Sequence, residues 1–243
     1  MDNIRAVLFD LDGTIYYGSK LIPEADRVVK KYRQEGKKIF FMTNNSTKSR
    51  KQIWEKLTGM GLECSYDEVY TSGYAAALYA KQMGYHTVYI MGSKALEEEF
   101  GELDITVSDQ AEVVIVGYDM AFDYQKLTDA LQVAFHADKI IACNKERHYP
   151  GENAKRMPGC GAMVGALEGS LGREVDYSVG KPNPLLMEII CKDNDLRPEE
   201  VVVVGDTYES DIVMAQNYGS SAVYIGEEDH KNIKCIHAIG ELL

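Results

Sequence analysis

Four short stretches of the sequence hold residue types suited to phosphoryl transfer. Asp10-Leu11-Asp12-Gly13-Thr14 carries two carboxylates, Thr43-Asn44-Asn45-Ser46 carries hydroxyls and amides, and Gly180-Lys181-Pro182 carries an ammonium. Gly205-Asp206 is followed by a second carboxylate at Asp211. Carboxylates repel a phosphate dianion, so such a set needs a cation between them and the substrate. Mg²⁺ suits the task, because it takes few hard oxygen ligands from protein and leaves waters and phosphate to complete its octahedron. Asp10 and Asp206 would supply two of those oxygens. Lys181 and the Thr43 hydroxyl would neutralise and hydrogen-bond the other phosphate oxygens. Asp10 suits a nucleophile, since an aspartyl-phosphate splits one difficult step into two easier ones. Asp12 would reach the leaving oxygen as a general acid if the chain turns away from extended geometry there.

Each stretch also has a plainer reading by itself. Asp-x-Asp-Gly is commonly a turn, and so is Gly205-Asp206. A calcium loop is excluded, because residue 21 is Leu where a bidentate Glu would be needed. Thr43-Asn44-Asn45-Ser46 reads as a cap before a helix, and a lone Lys181 as an exposed lysine. Their joint occurrence, each at the end of a strand, is what points to chemistry.

Those strands are short apolar runs, several of them rich in β-branched residues. They are Ala6-Val7-Leu8-Phe9, Lys38-Ile39-Phe40-Phe41-Met42, Thr87-Val88-Tyr89-Ile90, Val113-Val114-Ile115-Val116, Lys139-Ile140-Ile141-Ala142, Tyr177-Ser178-Val179, Val201-Val202-Val203-Val204 and Ala222-Val223-Tyr224-Ile225. Continuous apolar runs of this length read as strands of a parallel sheet buried on both faces. Helical spacing fills the intervals at 24–34, 47–58, 72–83, 124–134, 162–171 and 184–193. The alternation predicts an α/β protein. In open α/β sheets ligands bind beyond the carboxyl ends of the strands. If the four strands before the chemical stretches are neighbours, one crevice receives all their side chains.

Composition narrows the partners. The formal charge of −12 over 243 residues argues against nucleic acid, which needs a basic surface. No apolar run approaches the roughly 18 residues needed to cross a bilayer, so no membrane role is expected. The N-terminus shows no signal-peptide pattern, which favours the cytoplasm. Cys64, Cys143, Cys160, Cys191 and Cys235 are odd in number and widely spaced, as in a reducing compartment, and neither they nor the scattered histidines form a zinc pattern.

The four stretches resemble the signature motifs of the haloacid dehalogenase-like (HAD) phosphatase superfamily. Asp10-Leu11-Asp12-Gly13-Thr14 is similar to the first, Thr43 to the second, Lys181 to the third, and Asp206 with Asp211 to the fourth. Thr43-Asn44-Asn45-Ser46-Thr47, Met157-Pro158-Gly159-Cys160-Gly161-Ala162 and Val179-Gly180-Lys181-Pro182 resemble the nitrophenylphosphatase-like (NagD-like) branch. The resemblance implies a Rossmann-like parallel-sheet core at 1–73 and 177–243, with a large α/β cap inserted at 74–176. It implies Asp10 as nucleophile and Asp12 as general acid/base, with Mg²⁺ held by Asp10, Asp206 and the Asp12 backbone carbonyl. Thr43, the Asn44 backbone amide and Lys181 would bind phosphate, and Asp211 would support them from behind. Asn45 is placed near the site, and the Gly159-Cys160-Gly161 turn is expected to select substrate from the cap.

The implied substrate is a small phosphorylated metabolite: a sugar phosphate, nucleoside monophosphate or aryl phosphate. A homodimer through the cap follows by analogy. A phosphotransferase or mutase would share every site residue, and a binding protein on the same fold should have lost some of them. Two departures stand out: Thr207-Tyr208 follows Asp206 where relatives often have Arg-Leu, and the segment after Ile225 is short, which predicts a trimmed sheet edge.

Overall fold

The computed structural model describes residues 3–150, 155–228 and 230–243. The chain divides into two compact units. One takes in the chain up to Thr43, Lys51–Tyr70 and Lys181–Leu243; the other takes in Asn44–Arg50 and Thr71–Gly180.

The first unit is built on a six-stranded sheet in the order Lys234–Ile236, Ser221–Ile225, Val201–Gly205, Ala6–Asp10, Lys38–Thr43, Val69–Thr71. The pairings from Lys234–Ile236 through Lys38–Thr43 are all parallel. Every residue of Ala6–Asp10 and of Val201–Gly205 is buried, which is why both read as unbroken apolar runs. Val7, Phe9, Val202 and Val204 pack with Val28, Val29 and Tyr32 of the helix Ala25–Gln34. Each such fully buried side chain contributes about 1.5–3 kcal/mol by leaving water. The sheet grows to opposite sides of Ala6–Asp10, so Asp10 stands at the topological switch point where α/β proteins bind ligands.

Two expectations need correction. The sheet edge is not trimmed: Lys234–Ile236 pairs with Ser221–Ile225, and the Gly226 amide donates to the Ile236 carbonyl at 2.9 Å. The run is only three residues long and follows a polar stretch, so its apolar signal was weak. Nor are the four expected strands neighbours in one sheet. Lys38–Thr43, Ala6–Asp10 and Val201–Gly205 are adjacent, but Tyr177–Ser178 pairs with Lys139–Ala142 in the other unit's sheet. Lys181 instead follows on an irregular stretch before the helix Leu185–Asp193.

The second unit holds a five-stranded parallel sheet in the order Tyr177–Ser178, Lys139–Ala142, Val113–Val116, Thr87–Met91, Thr106–Val107. Met91, Val114, Val116, Ile140 and Ala142 face Ala130 and Val133 of the helix Tyr124–Ala134 and Val164 and Leu167 of the helix Cys160–Leu171. The spacing read from the sequence matches Tyr124–Ala134 at both ends. The helix Lys94–Gly101 had not been foreseen, because a Glu97-Glu98-Glu99 run masks its short apolar stripe. Among the described residues no helix is long and apolar enough to cross a membrane.

That helix buries a carboxyl group. Glu99 is 1% exposed; its Oε1 accepts from the Arg50 amide, while its Oε2 has no hydrogen-bond partner among the described residues. Burial pushes the Glu99 pKa up to about 7, against the Arg50 amide, which lowers it. The folded protein therefore holds a proton that the unfolded chain releases near 4.5. The stabilisation this proton provides is full below that value and is lost as pH rises through about 7. Glu99→Gln keeps the acceptor and needs no proton. Its Tm advantage over wild type is expected to widen between pH 5 and pH 8, roughly the window set by this shift. Thermal unfolding of both proteins across that range checks it; a constant difference would show that Glu99 does not titrate there.

Candidate active site

The loop after Ala6–Asp10 is wound tightly around one carbonyl. Leu11 O accepts from the amides of Thr14, Ile15 and Tyr16 at 3.3, 2.9 and 3.1 Å, and the Gly13 amide donates to Tyr16 O at 3.0 Å. Gly13 sits at φ +90°, a left-handed conformation costly for any residue with a Cβ. A Cβ there would also lie 2.1 Å from Asp206 Oδ2. The glycine thus lets the first acidic loop close onto the fourth.

The fourth stretch is shaped by a comparable approach. After Val201–Gly205 the chain enters a π-helical turn, Tyr208–Ile212, and then the helix Val213–Tyr218. Such turns are rare and cluster at functional sites. The turn brings Asp211 back against Gly205, where a Cβ would meet the Asp211 side chain at 2.5 Å. The Thr207 amide donates to Asp211 Oδ2 at 3.1 Å.

Lys181 lies where these elements meet. It is 5% exposed, and its Nζ donates to Asp10 Oδ1 and, at 2.6 Å, to Asp211 Oδ1. Oxygens of Asp10, Asp206 and Asp211 all fall within 4.8 Å of one another. Thr14 Oγ1 makes a long contact of 3.4 Å to Asp206 Oδ1.

The electrostatics follow from two buried carboxylates, a half-buried third and one buried ammonium. Burial alone would drive the Lys181 pKa down, but Asp10 and Asp211 outweigh it and hold the lysine charged above its ordinary range. Burial drives Asp10 up; Lys181 opposes this, while Asp211 and Asp206 add to it. Asp206 is pushed up to about 6, by burial first and then by Asp211. The cluster carries surplus buried negative charge, which a hard divalent cation would relieve. The donor set therefore fits Mg²⁺. Asp211 has one oxygen on Lys181 and the other on Thr207, so Asp10 and Asp206 are the better placed to ligate.

Asp12 is exposed and its carboxylate is not part of this cluster. Its Oδ2 accepts from the Tyr16 hydroxyl at 3.0 Å. Tyr16 is fully buried, and burial together with Asp12 raises its pKa, so the phenol stays a donor. Thr43 is buried at the end of Lys38–Thr43, beside Ala6–Asp10 in the sheet. Asp10, Thr43, Lys181, Asp206 and Asp211 all belong to the first unit, together with Asp12.

The remaining expected residues belong to the second unit. The Asn44 carbonyl accepts from Ser72 Oγ and Asn144 Nδ2, each at 2.7 Å, and its Nδ2 donates to Glu146 Oε1 at 3.1 Å. Asn45 acts as a local cap: its Oδ1 accepts from the Thr47 amide and hydroxyl, both at 2.9 Å, and from the Lys48 amide at 3.2 Å. Gly159 and Cys160 open the helix Cys160–Leu171. Cys160 Sγ is buried against Val116 O, and burial pushes its thiol up to about 12, so it is no thiolate nucleophile.

Sequence reasoning missed Tyr16, Ser72, Asn144 and Glu146, and saw Thr207 only as a departure beside Asp206. Tyr16 had a local signal, since it lies four residues beyond Asp12 in the same loop. Ser72, Asn144 and Glu146 act from positions distant in sequence, and no spacing announces them.

Residues 7–106 match the haloacid dehalogenase-like hydrolase family, and residues 178–237 match a second family of HAD-like hydrolases. The sugar-phosphatase AraL of Bacillus subtilis is 33% identical over 223 residues, covering 90% of this chain and 82% of that protein. The solved p-nitrophenyl phosphatase from Archaeoglobus fulgidus superposes with a TM-score of 0.91 at 30% identity, covering 98% of both chains. A glycerol phosphate phosphatase from Mycobacterium tuberculosis, solved in complex with magnesium, gives a TM-score of 0.84 at 27% identity, covering 94% of this chain and 70% of that one.

The Gly13 geometry predicts the effect of adding one methyl group. Gly13→Ala is expected to destabilise the fold by about 1–3 kcal/mol from backbone strain alone, with further loss as Asp206 is displaced. Urea unfolding measures this; a change below about 0.5 kcal/mol would show that the loop relaxes freely.

Proposed function

The chain belongs to the haloacid dehalogenase-like hydrolases, in their NagD-like branch, and from that premise we propose a Mg²⁺-dependent phosphatase of small phosphate monoesters that uses Asp10 as nucleophile. The observation that carries this reading is the convergence of Asp10, Asp206 and Asp211, with the buried Lys181 ammonium paired to Asp10 and Asp211. Sugar phosphates, nucleoside monophosphates and aryl phosphates are the proposed substrate class, in keeping with the sugar and p-nitrophenyl phosphatases the chain resembles.

A carboxylate attacks only when ionised. Lys181 serves that need by opposing the upward push of burial on Asp10. The same ammonium, with the Thr43 hydroxyl and the Asn44 backbone amide, takes up the negative charge of the phosphoryl oxygens. Asp10 Oδ forms a bond to phosphorus as the bond to the leaving oxygen breaks. Asp12 gives its proton to that oxygen, so an alcohol departs. Asp12 then accepts a proton from water, whose oxygen bonds to phosphorus while the Asp10–phosphorus bond breaks. Inorganic phosphate leaves and both aspartates return to their starting states. The Tyr16 hydroxyl occupies one oxygen of Asp12 and leaves the other to carry the proton. Asp10, Asp206 and the Asp12 backbone carbonyl would hold Mg²⁺, which supplies Lewis-acid neutralisation of phosphoryl charge. Asp211 aligns Lys181.

Wild type is expected to release phosphate from p-nitrophenyl phosphate with Mg²⁺ and to stop when a chelator is added. Asp10→Asn is expected to lower kcat by roughly a thousandfold or more. An Asp10→Asn protein that keeps wild-type turnover would remove Asp10 from the nucleophile's role.

A further inference from the structure

Asn44 is held more firmly than a loop residue needs to be. Its carbonyl accepts two hydrogen bonds of 2.7 Å, one from the buried Ser72 hydroxyl and one from the buried Asn144 amide. Its side-chain amide donates to Glu146 Oε1 at 3.1 Å. Asn144 and Glu146 are linked in turn, because Asn144 Oδ1 accepts from the Glu146 amide at 3.0 Å. One short loop thus grips both the main chain and the side chain of Asn44.

The loop is itself seated by the Gly159-Cys160-Gly161 turn. The Gly161 amide donates to Glu146 O at 2.7 Å, and the Gly159 amide donates to Arg147 O at 3.0 Å. A Cβ at Gly159 would lie 2.4 Å from Glu146 O, and one at Gly161 would lie 2.8 Å from it. Both glycines are needed for this approach, and neither backbone angle is left-handed. What they admit is the backbone of the Glu146 loop.

We propose that Glu146 is a positioning residue that acts through Asn44 to aim the Asn44 backbone amide at substrate phosphate. The inference rests on the phosphatase reading above, in which that amide binds phosphate beside Thr43, its neighbour in the chain. The Gly159-Cys160-Gly161 turn then serves binding at one remove, by seating Glu146. The group that matters on Glu146 is the acceptor oxygen and not the charge. A carboxylate is a strong acceptor for the amide N–H, but a neutral oxygen in the same place also fixes the Asn44 side chain.

Four variants test this with Mg²⁺ present: Glu146→Ala, Glu146→Gln, Asn44→Ala and the double variant Asn44→Ala/Glu146→Ala. An interaction made equally with bound substrate and transition state changes KM and leaves kcat alone. Glu146→Ala is expected to raise KM for p-nitrophenyl phosphate, and the inhibition constant of inorganic phosphate, by about five- to tenfold with kcat within about twofold. Its Tm should fall by no more than about 4 °C, the effect of one hydrogen bond lost from a buried amide to an exposed side chain. Glu146→Gln should recover both constants to within about twofold of wild type. Glu146→Ala should add no further loss when Asn44 is already Ala. Unchanged constants in Glu146→Ala, a loss confined to kcat or Tm, a Gln variant as weak as Ala, or additive losses would each overturn the proposal. If wild type hydrolyses no phosphate monoester, the phosphatase reading falls; phosphate binding by calorimetry on the same variants still decides the role of Glu146.

Discussion

The ammonium of Lys181, buried between Asp10 and Asp211, sets the terms for the rest of the first unit. Three converging carboxylates, two of them buried and one half-buried, cannot be held together unless positive charge accompanies them. Lys181 supplies one unit of it, through two short charge-assisted contacts. The remaining surplus creates a demand for a cation, which distinguishes the cluster from a structural ion pair. A divalent cation that meets this demand also turns a phosphate-repelling surface into an attracting one.

Holding charges this close requires backbone that can come close as well. Gly13 adopts a left-handed angle and carries no Cβ where Asp206 must sit. Gly205 yields space to Asp211. The π-helical turn Tyr208–Ile212 displaces Asp211 from where a regular helix would put it. The parallel strands contribute rigidity instead of chemistry: Ala6–Asp10 has no exposed residue, and its neighbours hold it from both sides. Side chains at the ends of such strands inherit the precision of the sheet.

Much of this was legible in the sequence, and the exceptions have physical causes. Buried parallel strands must be apolar throughout, so Val201–Gly205 and Val113–Val116 announced themselves. The acidic loops could be read because catalytic residue types recur at strand ends. Short edge strands could not: Lys234–Ile236 is partly exposed, Thr106–Val107 is exposed throughout, and both are too brief to carry a pattern. The sheet partner of Tyr177–Ser178 was also hidden. Two residues cannot say which of two sheets they join, and only the parallel register with Ile141 and Ala142 decides it. Glu146 was hidden for another reason. A charged residue in a polar loop reads as solvated, and nothing local reveals that its acceptor oxygen lies on Asn44.

The division of the chain gives that last contact its significance. Two of the four boundaries between the units fall between Thr43 and Asn44 and between Gly180 and Lys181. Each cuts through a stretch that sequence reasoning had treated as a single phosphate-binding element. Thr43 is fixed by its strand, and Lys181 by its carboxylates. Asn44 has neither kind of anchor. Its orientation is set by Ser72, Asn144 and Glu146, a set of polar contacts within the other unit. A backbone amide has no rotamer to adjust, so its direction is only as definite as the contacts on the residue that carries it. Hydrogen bonds on both the carbonyl and the side chain of one residue remove most of that freedom. This is how a network of hydrogen bonds outside the carboxylate cluster would bear on phosphate binding, by fixing the residue whose amide the proposal uses.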